Sequence, residues 1–89
     1  MLQSFKVGSK SNPNKVAGAI ASVIAPGRKL RLECIGAGSL NVAIKAVAIA
    51  RGFVITSGID LYLQPAFQTI AFDGEEKTGI ILTVEACVS

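Results

Sequence analysis

The stretch at residues 35–52, IGAGSLNVAIKAVAIARG, constrains the fold most, because it joins a glycine-rich turn to a long apolar helix pattern. Gly36 and Gly38 permit a tight turn and leave backbone N–H groups open to a ligand. Ser39 is predicted as the N-cap, with its hydroxyl accepting a hydrogen bond from one of the first helix N–H groups. Because a helix N-terminus carries partial positive charge, we expect this turn to bind an anion.

The helix that follows this turn is apolar on almost every side. Its helical spacing places one set of apolar residues on a shared face: Leu40, Ala43, Ile44, Val47 and Ala48. The clearly polar strip is limited to Asn41 and Lys45, an i, i+4 pair. Such a helix is usually buried on more than one side, so the pattern predicts packing against a sheet plus a partner helix or partner subunit.

Length and composition predict one small domain spanning residues 1–89. Hydrophobic residues make up 51% of the chain and charged residues 17%, which excludes a disordered tail, and so small a chain favours oligomerisation. No apolar run approaches the roughly 20 residues of a membrane span, and residues 1–10 lack a signal-peptide core. Two cysteines are too few for a disulfide framework, and Cys34 is predicted to be a buried thiol. We therefore expect a cytoplasmic protein.

The two halves of the chain carry opposite net charges. Residues 1–51 hold eight Lys and Arg side chains and one acid, a net charge of +7. Residues 52–89 hold one Lys and five acids, a net charge of −4. A basic half is the electrostatic footprint of a nucleic-acid-binding protein, and the alternative is that the charges only solvate opposite ends of the molecule.

The first half of the chain has the pattern strand–helix–strand–helix. Residues 3–8 alternate as a half-buried strand, and Asn12 and Pro13 predict the N-cap and first residue of a helix. In that helix Gly18 predicts the close approach of another backbone. Residues 30–35 form the second strand, and a βαβ crossover makes the two strands parallel, so that the loops following them meet at one edge of the sheet.

That edge would gather basic and small polar residues around two helix N-termini, and we expect it to bind phosphate groups. The residues concerned are Lys10, Ser11, Asn12, Lys15, Gly36, Ala37, Gly38, Ser39, Asn41 and Lys45. Arg51 is a further candidate, although it lies at the far end of its helix.

The second half of the chain is predicted to form a hairpin. A connector at residues 53–58 precedes a strand at 60–64, which Pro65 interrupts and which resumes at 67–72. Asp73-Gly74 is a turn signal, and residues 78–86 form the last strand, with Ile80, Leu82 and Val84 on one face. The predicted fold is an α+β two-layer sandwich, β-α-β-α-β-β, with two helices on one face of a mixed four-stranded sheet.

The sequence offers little catalytic chemistry. It contains no histidine, and its two isolated cysteines make no zinc pattern, so we expect neither an enzyme nor a metal site. The sequence Gly36-Ala37-Gly38-Ser39-Leu40-Asn41 half-resembles a dinucleotide fingerprint, but Asn41 replaces the third glycine and we expect no cofactor. Phe67 and Tyr62 could stack on bases if exposed, although packed positions are expected for both.

The chain closely resembles the stage V sporulation protein S family over residues 7–85. The matching stretches are Lys10-Ser11-Asn12-Pro13-Asn14, Val16-Ala17-Gly18-Ala19, Ile35-Gly36-Ala37-Gly38, Leu40-Asn41, Lys45-Ala46-Val47-Ala48-Ile49-Ala50-Arg51-Gly52-Phe53, Ser57-Gly58, Pro65-Ala66-Phe67 and Asp73-Gly74-Glu75-Glu76. The resemblance implies a small cytoplasmic bacterial protein, linked in spore formers to septation and spore coat assembly. The family is similar in fold to the Alba chromatin and RNA-binding proteins, which implies a strand order of 1-2-4-3 and dimers that bind DNA or RNA.

Alba-type proteins place basic residues of the first strand–helix loop against nucleic acid, which corresponds here to Lys10 and Lys15. The glycine-containing turn before their second helix corresponds to Gly36-Ala37-Gly38-Ser39 with Asn41 and Lys45. Their C-terminal hairpin is often basic, whereas the tip here, Asp73-Gly74-Glu75-Glu76, is acidic and would repel phosphate.

The sequence is therefore compatible with three functions. The leading hypothesis is a regulatory, non-enzymatic Alba-like protein, a homodimer or homotetramer that binds DNA or RNA through phosphate contacts and has no membrane partner. The first alternative is a protein-interaction module that uses the acidic hairpin and the apolar second helix. The second is a sensor that binds a phosphate or nucleotide at the glycine turn.

Overall fold

The fold is described by a computed structural model covering residues 3–89, apart from the side chain of Phe72. The elements in chain order are β1 (Gln3–Val7), α1 (Pro13–Val23), β2 (Lys29–Cys34), α2 (Ala37–Val54), a 3₁₀ turn (Ile55–Ser57), β3 (Ile59–Phe72) and β4 (Glu75–Val88). The strands form one mixed sheet in the order β1-β2-β4-β3, in which β1 and β2 are parallel and the other pairs antiparallel. This confirms the predicted α+β fold and the strand order implied by the resemblance.

The core lies between one face of the sheet and the two helices. The most buried large side chains are Ile20 from α1, Leu30, Leu32 and Cys34 from β2, and Val84 from β4. The Cys34 prediction is confirmed, because the residue is 1% exposed and burial raises the pKa of its thiol. Leu82 and Val84 are buried in this core and Ile80 packs against it, which confirms the predicted inner face of β4.

Helix α1 begins where the sequence predicts. The Asn12 side chain accepts a hydrogen bond from the Asn14 backbone N–H at 2.9 Å, and Pro13 is the first helical residue. The expectation for Gly18 is wrong: a Cβ added there would meet no atom of the described structure within 4 Å. Gly18 lies on the exposed side of α1, so no other backbone approaches it.

Helix α2 begins at Ala37, earlier than the sequence predicts. Gly36 is the N-cap residue, with φ 86° and ψ 161°, and it turns the chain out of β2. The prediction of Ser39 as the N-cap is therefore wrong. Ser39 lies within the first turn and is buried, and its Oγ donates to the carbonyl oxygens of Ile35 at 2.7 Å and Gly36 at 3.0 Å.

Gly36→Ala is expected to lower the free energy of unfolding by about 1–2 kcal/mol, because a Cβ disfavours this positive φ. The measurement is thermal unfolding followed by circular dichroism. Gly52→Ala is a matched control, since Gly52 lies in α2 without a positive φ and with open space around its Cβ position. An equal loss in both variants would contradict the role of Gly36.

The buried face of α2 is rotated from the predicted one. Its buried residues are Ser39, Val42, Ala43, Ala46, Val47, Ala50 and Val54, whereas Ile44 is 45% exposed and Ala48 is exposed. The helix packs on α1 and on the sheet, but its remaining apolar face is uncovered. Residues 37–57 are long and apolar enough to cross a membrane, with a mean hydropathy of 1.5, but the core helices of soluble proteins share these properties, so this helix is not evidence of a membrane span.

The C-terminal half forms one long hairpin rather than interrupted strands. Strand β3 is continuous through Pro65, which pairs with Leu82 and is tolerated because β3 is an edge strand. The predicted connector at 53–58 is partly wrong, since α2 continues to Val54 and the 3₁₀ turn follows. The predicted turn is confirmed: Asp73 and Gly74 both have positive φ, as a two-residue type I′ turn requires.

Part of this hairpin projects beyond the rest of the sheet. Strand β2 ends opposite β4 where Cys34 pairs with Ile80, but β3 and β4 continue to pair as far as Phe72 and Glu75. We call residues 68–79 the arm. The arm contributes to a long molecular axis of 41 Å.

Candidate nucleic-acid interface

The two turns that follow the parallel strands touch each other. A Cβ added at Gly38, in the first turn of α2, would lie 2.9 Å from the Ser9 Cβ in the loop after β1. A side chain at position 38 would therefore push the two turns apart. The absence of one lets the N-terminus of α2 pack directly on the first loop, at the sheet edge where the sequence predicts that they meet.

Hydrogen bonds within the first loop fix its shape. The Ser11 Oγ accepts from the Gly8 N–H at 3.0 Å, and the Ser11 N–H donates to the Gly8 carbonyl oxygen at 3.1 Å. Asn12 caps α1. The side chains of Ser11 and Asn12 are thus engaged within the loop, and that of Ser39 is buried, so these three residues support the edge and their side chains are not free contacts.

Three lysines surround the end of β1. Lys6 and Lys10 line a cavity of about 370 Å³, which also includes Glu33, and Lys6 and Lys15 line a neighbouring groove of about 340 Å³ beside α1. All three side chains belong to exposed residues. Sequence reasoning missed Lys6, although its outward position in the alternation of β1 was a signal for it.

The exposed side of α2 continues this edge. Gly38, Asn41 and Lys45 are exposed and share one helix face, with Lys45 about 10 Å along the axis from Gly38. Within the described residues, no acidic side chain occupies the first turn of α1 or α2, so neither helix dipole is neutralised there. We call Lys6, Lys10, Lys15, Lys45 and the turn at residues 36–38, which includes Ala37, the basic rim.

Arg51 lies apart from the basic rim. It is in the last turn of α2, where its Nε donates to the Asp60 Oδ1 at 2.6 Å. This hydrogen bond, supported by the Leu61 backbone N–H, holds the pKa of the Asp60 carboxyl below its ordinary value. Arg51 therefore joins α2 to the start of β3, and the fold does not bring it to the other candidate residues.

The Arg51–Asp60 pair predicts an acid-dependent loss of stability. A carboxyl whose pKa is lowered by folding stabilises the protein above its unfolded-state pKa of about 4, and this contribution is lost as the pH falls through the folded-state value. The melting temperature of the wild-type chain should fall between pH 7 and pH 3. The fall should be smaller in the Asp60→Asn variant, which lacks the titrating carboxyl group. Equal losses in the two proteins would contradict this assignment.

Two aromatic side chains are more exposed than the sequence suggests. Phe67 is 81% exposed and Tyr62 is 50% exposed, so the expectation that both are packed is wrong. Phe67 lies where the hairpin passes the end of β2, and it lines a cavity with Gly36 and Leu40.

Among the described residues, no group of three or more His, Cys, Asp or Glu side chains could hold a metal ion.

These features define a small α+β protein with a basic edge built from two adjoining loop–helix junctions. A family model described as stage V sporulation protein S matches residues 3–87 of the 89-residue chain. The chain therefore belongs to the stage V sporulation protein S family, which is related to sporulation.

Proposed function

We propose that this protein is a non-enzymatic, Alba-like regulator that binds DNA or RNA through the basic rim. The observation that carries the proposal is the contact between Gly38 and Ser9, which joins two helix N-termini and their lysines in one surface. Phosphate groups suit such a surface, because backbone N–H groups and ammonium groups there favour negative charge. Contacts of this kind read no sequence, so we expect weak sequence preference.

The acidic arm limits the interface to the basic rim. Asp73, Glu75 and Glu76 are exposed at the arm tip, and phosphate approaching them would be repelled. In this proposal the nucleic acid lies across the two loop–helix junctions and avoids the tip.

Oligomerisation and cytoplasmic location belong to the same proposal. A homodimer or homotetramer would cover apolar side chains that are exposed in the single chain, among them Ile44, Phe53 and Phe67. Two copies would also double the number of phosphate contacts along one duplex.

The direct test is fluorescence anisotropy with labelled duplex DNA, single-stranded DNA and duplex RNA, at 50 mM salt. Binding of at least one of these probes is expected, with similar affinity for unrelated sequences of the same type. Absence of binding to all three would overturn the proposal. In that case, a higher melting temperature with a mononucleotide would favour the phosphate-sensor alternative at the glycine turn, where Gly36 and Ala37 line a cavity.

A further inference from the structure

The described sheet has free backbone edges on the outer side of β1, on the outer side of β3 and along the part of β4 that extends beyond β2. Strand β1 pairs with β2 along one side, which leaves the other side of its five residues, Gln3–Val7, without a strand. In the arm, residues 75–78 of β4 extend beyond β2 and have no strand on that side, whereas Gly79 lies against the end of β2. Free strand edges present unpaired N–H and C=O groups and add further strands readily.

The free edge of β1 lies beside a groove with a basic border. Half-buried Phe5 and Val16 form its apolar part, and Lys6 and Lys15 supply positive charge. The lining of this groove contains no acidic side chain among the described residues. An extended segment that enters it should therefore carry acidic side chains.

The arm of this same chain is an extended segment with acidic side chains at its tip. Of the acids outside the arm, Glu85 and Asp60 form ion pairs with Lys29 and Arg51, and Glu33 lines the cavity beside Lys6 and Lys10. In the described structure Asp73, Glu75 and Glu76 form no ion pair, and all three are exposed at the arm tip.

Within one molecule the arm does not occupy this groove. Ile70, in the arm, lines the neighbouring cavity together with Lys6 and Lys10, but no described residue of the arm lines the groove itself. The groove is therefore open to the arm of another copy.

We propose that the arm of one copy docks in the β1–α1 groove of a second copy, with residues 75–78 extending the sheet beside β1. The two surfaces differ, so the contact is head-to-tail and builds rings or open chains of subunits. It is separate from a two-fold dimer, and it goes beyond nucleic-acid binding. Because Lys6 and Lys15 belong to both the groove and the basic rim, docked arms compete with nucleic acid.

A charge swap tests the contact without nucleic acid. We compare the wild-type chain, an arm variant (Glu75→Lys with Glu76→Lys) and a groove variant (Lys6→Glu with Lys15→Glu) by sedimentation velocity at 50 mM salt. Each variant alone should show about tenfold weaker association than wild type, because attraction becomes repulsion at the docking contact. An equimolar mixture should regain wild-type association, since each variant then offers a surface complementary to the other.

The control is Arg28→Glu, which changes the charge of an exposed residue outside the groove and should leave association unchanged. Circular dichroism establishes that each variant is folded. Association that is equal in all four proteins, or that the mixture does not regain, would overturn the proposal. If the arm variant still binds DNA, its loss of self-association is independent of the proposed nucleic-acid binding.

Discussion

Raising the salt concentration from 50 to 200 mM is expected to weaken binding to duplex DNA by about 40-fold. This figure assigns one phosphate to each of three lysines of the basic rim, Lys10, Lys15 and Lys45, and each such contact contributes about −0.9 to the slope of log K against log salt. The physical cause is the release of counterions that are condensed on the duplex. Fluorescence anisotropy across a salt series measures the slope.

Replacing those three lysines with alanine should flatten the slope by about 2.7 and weaken binding at 50 mM salt. Arg28→Ala is the matched control, because Arg28 is exposed but lies before β2, away from the sheet edge that carries the basic rim. We expect its slope to equal that of the wild-type chain. A salt-insensitive complex, or a triple variant with the wild-type slope, would exclude the rim as the phosphate-binding surface.

Gly79→Ala is expected to lower the free energy of unfolding by about 3 kcal/mol, the upper end for an overpacked core site. A Cβ at Gly79 would lie 2.5 Å from Ile70 Cδ1 and 2.7 Å from the Cys34 carbonyl oxygen. The Ile70 side chain can rotate away from the added Cβ, but the Cys34 carbonyl belongs to the β2 backbone and cannot move aside. The corresponding fall in melting temperature is about 12–24 °C for a domain of this size, measurable by calorimetry.

Gly18→Ala makes the same chemical change where space is open, and it should have the opposite effect. Gly18 lies in α1 without a positive φ, so alanine should stabilise the protein by about 0.5–1 kcal/mol. Destabilisation by both substitutions would show that a general intolerance of side chains, rather than contact with β2, explains the result at Gly79.

The successful sequence predictions depend on residues close together in the chain. Asn12 and Pro13 begin a helix because a cap and a fixed φ act within one turn. Asp73 and Gly74 form a turn because they tolerate positive φ. The meeting of the two loops followed from the topology of parallel strands.

The failed predictions depend on which neighbour covers a residue. Helix α2 is apolar on nearly every side, so its pattern could not show that Ile44 would be exposed and Ser39 buried. Phe67 is predicted to pack, but it lies on the edge strand β3, level with the end of β2, and is exposed. The outward position of Lys6 in β1 is visible in the sequence, but the cavity that brings it together with Lys10 forms only in the tertiary structure.

The sequence by itself determined the order and type of the elements, the cap of α1, the hairpin turn and the division of charge between the two halves. These follow from local backbone preferences and composition. The tertiary structure decided that Gly38 meets Ser9, that Gly79 lies against Cys34, and that Arg51 pairs with Asp60. Each of these is an interaction between separate elements of the fold, and no local periodicity specifies the distance between them.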